Sequence, residues 1–262
     1  VIGFKRGLLI FMEQLSCFLA SHVYAVSYGV KEILVKDGIT YKNIEIIDNG
    51  SVNGIDVNFF SSNNIDILDL KESYKLLPSN FVFGFVGRLV KDKGIEELVE
   101  AFLQINKMYP KTRLLLVGNY ESEDPIGLVL KKEIAMNSTI LDVGFQKDVR
   151  PFLKMMDVFV FPSYREGFGI SLMEAASMGV PAISSDIIGC NEIIKNGYNG
   201  ILIPSKSVID LINAMENVVS DFDLINNMSN VCRDYVNDKY EQNKLWESTL
   251  SSYSKITKHL HV

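Results

Sequence analysis

Between residues 81 and 203 the chain alternates short, almost wholly apolar runs with longer stretches whose apolar residues recur every three or four positions. The apolar runs are 81–86, 113–117, 140–143, 158–161, 181–184 and 200–203. A run without polar alternation predicts a strand buried on both faces. The stretches 95–107, 128–136 and 149–154, the run opening at Ile170 and a piece near 190–195 predict helices. Strand and helix in turn require a parallel sheet with helices on both faces, and right-handed crossovers make it doubly wound. Before this block, 8–19 reads as helix, 22–27 as strand, 30–37 as helix and 44–47 as strand. Asp48-Asn49-Gly50-Ser51 and Asn53-Gly54 then crowd turn-formers together, as at a linker or domain boundary. After it, 207–219 and 224–236 carry apolar residues at helical spacing, and 240–256 is a more polar helix with Leu245, Trp246, Leu250 and Tyr253 as its stripe.

Composition narrows the class. The chain has 262 residues, 47% apolar and 22% charged, enough for one large domain or two small ones. A net charge of −6 without a concentrated basic face argues against a nucleic-acid partner. Cys17, Cys190 and Cys232 are far apart and form no CxxC, so they read as reduced thiols of a cytoplasmic protein, neither disulfide frame nor zinc site. His22, His259 and His261 have no metal-like spacing. No apolar run reaches the roughly 18 residues of a membrane span. The nearest, 7–20, is interrupted by Glu13, Gln14 and Ser16 and reads as an amphipathic core helix, and with no small-residue cleavage site it makes a poor signal peptide. Val1 stands where a start methionine would, so the chain reads as a piece of a longer protein.

The chemistry concentrates in DVFVFPSYREGFGISLMEA, residues 157–175. A buried strand ends at Ser163-Tyr164-Arg165-Glu166, turns through Gly167-Phe168-Gly169 and opens a helix at Ile170. The carboxyl ends of parallel strands are where such sheets take ligands. The N–H groups of Ile170, Ser171 and Leu172 would form a phosphate cradle. Glu166 and Glu174 frame it, and carboxylates beside a phosphate site suit sugar hydroxyls. Either one alone also fits a solvated glutamate. Upstream, Arg88 at a strand end and Lys93 at a helix start can jointly neutralise a diphosphate, although KDKG also reads as a surface turn. Gly84-x-x-Gly87 does not supply the GxGxxG of a dinucleotide dehydrogenase, and no GK[ST] is present for a P-loop.

Glu166-x7-Glu174, following Gly87-Arg88 and Lys93-Gly94 in this order, resembles the donor-binding half of a GT-B glycosyltransferase of family 4 over about residues 80–205. The segment NGSVNGIDVNFF resembles the interdomain connection of the capsular-polysaccharide subgroup. The resemblance implies a Rossmann-like C-terminal half of a GT-B fold: residues 1–48 from the acceptor-binding domain, 49–238 the donor domain, and 239–262 a helix returning to the first. It implies a retaining enzyme that moves a sugar from a nucleotide diphosphate, with UDP expected, to a saccharide or lipid-linked acceptor in surface polysaccharide synthesis. Arg88 and Lys93 match the diphosphate-binding pair and Glu174 the ribose ligand, while Glu166 faces the donor sugar as the catalytic candidate. Gly87, Asn119, Phe145, Phe168, Gly169, Ile170, Ser171 and Leu172 would line the donor, with main chain near Phe145 meeting the base. Glu192, in Gly189-Cys190-Asn191-Glu192, reads as structural. No metal or other cofactor is implied. The implied location is the cytoplasm, at the inner face of the membrane, with peripheral membrane contact left open for the full-length enzyme. As a piece, this chain would bind donor and transfer sugar poorly. A GT-B sugar-nucleotide epimerase and a non-catalytic nucleotide-binding module are the other readings.

Overall fold

The computed structural model describes residues 3–63 and 65–258, so His259 and His261 lie outside the described residues. The chain divides into two compact units, one made of the described residues up to Gly54 together with those from Tyr240 onward, the other Ile55–Lys239. The sequence placed its boundaries at 48/49 and 238/239.

The first unit holds helix α1 (Phe4–Leu19), strand β1 (Val23–Tyr24), helix α2 (Tyr28–Lys36) and strand β2 (Ile44–Glu45). The strands expected over 22–27 and 44–47 are thus only two residues each, and among the described residues they pair in parallel with one another alone. A two-stranded sheet has no third strand to extend its ladder, which fits their shortness. Ser27 caps α2 by accepting the Val30 N–H at 3.1 Å. Helix α1 is not the core helix its pattern predicted. Only Cys17 is buried, while Phe4, Leu8, Leu9, Phe11, Met12, Leu15, Phe18 and Leu19 are exposed, because no other described residue covers that face.

The second unit opens with a segment tied down by side chains. Arg233 donates to the carbonyls of Val57, Phe60 and Ser177, and Lys154 donates to those of Ser62 and Ile65. A short helix, α3 (Leu68–Ser73), follows in a region where the sequence pattern assigns no element. Then come β3 (Phe81–Val86), a 3-10 turn (Lys91–Lys93), α4 (Ile95–Met108), β4 (Thr112–Val117), α5 (Leu128–Met136) and β5 (Ile140–Asp142). They are followed by α6 (Arg150–Met155), β6 (Val158–Phe161), α7 (Ile170–Ser177), β7 (Ala182–Ser185), β8 (Gly200–Ile203) and α8 (Val208–Ser220). Two long helices, α9 (Phe222–Tyr240) and α10 (Gln242–Lys258), end the chain. The helix expected near 190–195 is a string of turns. Asn199 takes the Lys195 N–H at 2.7 Å and donates to the Ile193 carbonyl at 3.0 Å, diverting the backbone groups a helix would need.

Strands β3 to β8 form one parallel sheet in the order β5-β4-β3-β6-β7-β8, flanked by helices. This is the Rossmann-like order, with the chain reversing direction of build between β3 and β6. The core explains the apolar runs. Val82, Phe83, Phe85 and Val86 of β3 and all of β6 are buried, as are Ile95, Leu98, Val99, Phe102 and Ile105 along one face of α4. In the first unit Trp246 is half exposed and donates its Nε1–H to Asn53 Oδ1 at 2.9 Å. All three cysteines are free and buried. Among the described residues no helix is long and apolar enough to cross a membrane.

Candidate active site

The reversal between β3 and β6 leaves their carboxyl ends side by side, and the charged residues gather there. Phe85 of β3 stacks on Phe161 of β6 with ring centroids 5.8 Å apart. The Lys93 ammonium lies 5.4 Å from the Phe161 centroid. Gly94 makes this approach possible. It sits at φ +70°, and a Cβ there would stand 2.2 Å from the Pro162 carbonyl oxygen. Only glycine takes that backbone conformation without strain at such close range.

Lys93 and Glu166 form a short hydrogen-bonded ion pair, their side chains only 14% and 12% exposed. The loop bearing Glu166 is pinned to the turn bearing Lys93. Asp92 O accepts the Tyr164 N–H at 2.9 Å and the Ser163 hydroxyl at 3.2 Å, and Asp92 Oδ2 accepts Arg165 Nε at 2.9 Å. Tyr164 donates its hydroxyl to Glu97 on α4, and burial together with that carboxylate raises the phenol pKa above its ordinary value. Arg88 reaches the other way, donating to Glu121 Oε2 at 2.9 Å, which holds its guanidinium still more firmly protonated.

Two cavities share Arg88 in their walls. One, of about 440 Å³, is lined by Arg88, Asp92, Lys93, Arg165, Glu166 and Gly167. The other, of about 350 Å³, is more apolar, with Gly87, Asn119, Glu121, Phe145 and Gln146 in its wall. Phe145 is 68% exposed beside it. A polar, cation-bearing cleft next to an apolar one matches a ligand with a charged middle and a flat, less polar end.

The Gly-rich turn is closed from the side by Gly189, whose carbonyl accepts the Gly169 N–H at 2.9 Å. Of the three amides expected in the cradle, Ile170 N–H bonds to the Phe168 carbonyl and Leu172 N–H to that of Gly169, so Ser171 alone keeps an N–H without a partner among the described residues. Phe168 and Leu172 are buried, and their side chains serve the core. Glu174 is partly buried on α7, and its carboxylate makes no hydrogen bond or ion pair among the described residues. Desolvation pushes its carboxyl pKa up to about 7. Burial likewise pushes the Cys190 thiol up to about 12, too high for a nucleophile at neutral pH. No cluster of three or more His, Cys, Asp or Glu among the described residues is arranged to hold a metal ion.

The structure therefore brings Arg88, Lys93 and Glu166 around one cleft, with Gly87, Asn119 and Phe145 around its neighbour. Sequence reasoning missed Asp92, Glu121, Gln146 and Arg165. Asp92, Gln146 and Arg165 each sit next to a residue it had named, so adjacency was the available signal.

Residues 66–235 match the family model described as glycosyl transferases group 1. The chain belongs to this family. As a glycosyltransferase it is 32% identical over 260 residues to the capsular polysaccharide biosynthesis glycosyltransferase CapM of Staphylococcus aureus, covering 98% of this chain and 68% of that protein. It is 34% identical over 195 residues to the Escherichia coli UDP-Gal:alpha-D-GlcNAc-diphosphoundecaprenol alpha-1,3-galactosyltransferase, covering 73% of this chain and 49% of that one. Anabaena Alr3699/HepE, solved in complex with UDP, shares the GT-B glycosyltransferase fold at a TM-score of 0.85 and 21% identity, over 96% of this chain and 68% of its own. This glycosyltransferase chain thus spans about half to two thirds of the length of these proteins.

Proposed function

We propose that the chain carries the donor site of a retaining glycosyltransferase that uses a UDP-sugar and a saccharide or lipid-linked acceptor in surface polysaccharide synthesis. What carries the reading is the gathering of two cations, Arg88 and Lys93, with Glu166 around one cleft at the carboxyl ends of β3 and β6, the strand that leads into the helix bearing Glu174. The names of the capsular and diphosphoundecaprenol relatives support the pathway and acceptor class.

In this reading Arg88 and Lys93 grip the diphosphate, Glu174 accepts the ribose hydroxyls, and the base lies toward Phe145. The acceptor hydroxyl oxygen attacks the anomeric carbon from the face the nucleotide leaves. The bond to the diphosphate oxygen breaks with its electron pair, and the acceptor proton passes to the departing phosphate. The two cations stabilise the growing negative charge, the role a metal ion plays elsewhere. Glu166 stands beside Lys93 to orient the sugar and stabilise positive charge on its ring, with no covalent intermediate required. We place the reaction at the cytoplasmic face of the membrane, and we expect these 262 residues to bind donor but transfer slowly.

Calorimetric titration with UDP, GDP and NAD, alongside Arg88→Ala and Glu174→Ala, tests the reading. UDP should bind in preference to the others, and both variants should weaken it at least tenfold. NAD binding, or UDP binding indifferent to both changes, would overturn it.

A further inference from the structure

We propose that Glu121 is the resting counter-ion of Arg88, displaced by the donor diphosphate and returning to the guanidinium to help expel the spent nucleotide. The inference rests on the donor reading above and gives a role to a carboxylate that this reading leaves unused.

The pair is built by the fold. Leu89 N–H donates to the Asn119 carbonyl at 2.8 Å, and Leu89 bridges Tyr120 in parallel. The backbones carrying Arg88 and Glu121 are thereby held side by side. Tyr120 is itself anchored, donating its hydroxyl to Asp142 Oδ2 at 2.7 Å under the Lys131 ammonium. Glu121 Oε2 then accepts a hydrogen bond from Arg88 Nη1 at 2.9 Å, with both side chains lining the same cavity. The other carboxylates acting on Arg88 are Asp92 and Glu166, and each already has its own cation, Arg165 and Lys93. Glu121 has no other partner among the described residues. A guanidinium offers one fork to oxyanions, and phosphate and carboxylate compete for it. Glu121 therefore raises the cost of holding a diphosphate and lowers the barrier to its release.

UDP affinity and dissociation rate, measured on the whole chain at about 50 mM salt, test this. Glu121→Gln keeps the side-chain shape and removes the charge. It should bind UDP roughly two- to fivefold more tightly, the range of an exposed ion pair, through slower dissociation. The gain should shrink in high salt. Glu123→Gln removes the same charge from the same loop, at a residue that pairs with no cation among the described residues, and should leave affinity nearly unchanged. Unchanged or weaker UDP binding by Glu121→Gln would sink the proposal, as would an equal gain from Glu123→Gln. Arg88→Ala separates the two levels. If it leaves UDP binding intact, the donor reading falls; if it weakens UDP while Glu121→Gln gains nothing, only the counter-ion role falls.

Discussion

Glu166 meets its ligand with its charge already answered, because Lys93 holds it in a nearly buried pair. Removing it frees the lysine for phosphate while taking away whatever faces the sugar. Glu166→Ala should therefore lower kcat by roughly a hundredfold or more, with UDP affinity preserved or slightly improved. Equal losses in both would contradict that division of labour. Glu174 behaves differently. Its carboxyl keeps a proton up to about pH 7 because burial disfavours the charge. Two ribose hydroxyls donate best to the carboxylate, so the affinity of the parent chain relative to Glu174→Gln should rise between pH 6 and 8. Taking that ratio cancels the nucleotide's own titration. Stability follows the opposite sign. The protonated group favours the fold, and this contribution, full below about 4.5, is lost as pH rises through about 7. At pH 8 Glu174→Gln should be the more heat-stable protein, by up to about 3 kcal/mol. The sequence pointed to Arg88, Lys93 and Glu166 because they follow a strand end or precede a helix, and the structure gathers these three around one cleft. It pointed to Glu174, on the second turn of α7, only through its spacing from Glu166. Glu121 was not, since its loop carries no periodicity and its pairing with Arg88 exists only once β3 and β4 lie in register.

At the level of elements, legibility tracked burial. The apolar runs of β3, β6 and β8 and the start of α7 could be read from the chain, because helices cover the sheet and leave no room for polar alternation. The turns after Cys190 were misread. Ile193 and Ile194 are buried as in a helix, and only the side chain of Asn199 reveals that their backbone is engaged otherwise. Helix α1 was misread because an apolar pattern gives the face to be covered but does not supply the cover. The Gly94 corner joins element and site. Gly94→Ala forces a left-handed alanine and a Cβ against Pro162, which should cost about 2–4 kcal/mol in urea denaturation. UDP binding should fall with it, since Lys93 rides on that turn. A neutral effect on both would mean the corner relaxes freely.

For the whole molecule, every residue assigned to the donor lies within Ile55–Lys239. That piece alone should bind UDP within about threefold of the full chain, since ligand stabilises only the unit that holds its contacts. A larger loss, measured by calorimetry, would show that the first unit helps to hold the nucleotide. The strand order has a further consequence, in time. Phe81 of β3 pairs with Thr112 of β4, 31 positions away, but Phe83 pairs with Val158 of β6, 75 positions away. Contacts so distant in sequence close late. Half the sheet can assemble with Arg88 in place before Glu166 has a floor to stand on, so the nucleotide has nothing complete to hold until the last crossing is made. UDP should then slow unfolding in proportion to its binding and leave the rate of refolding untouched.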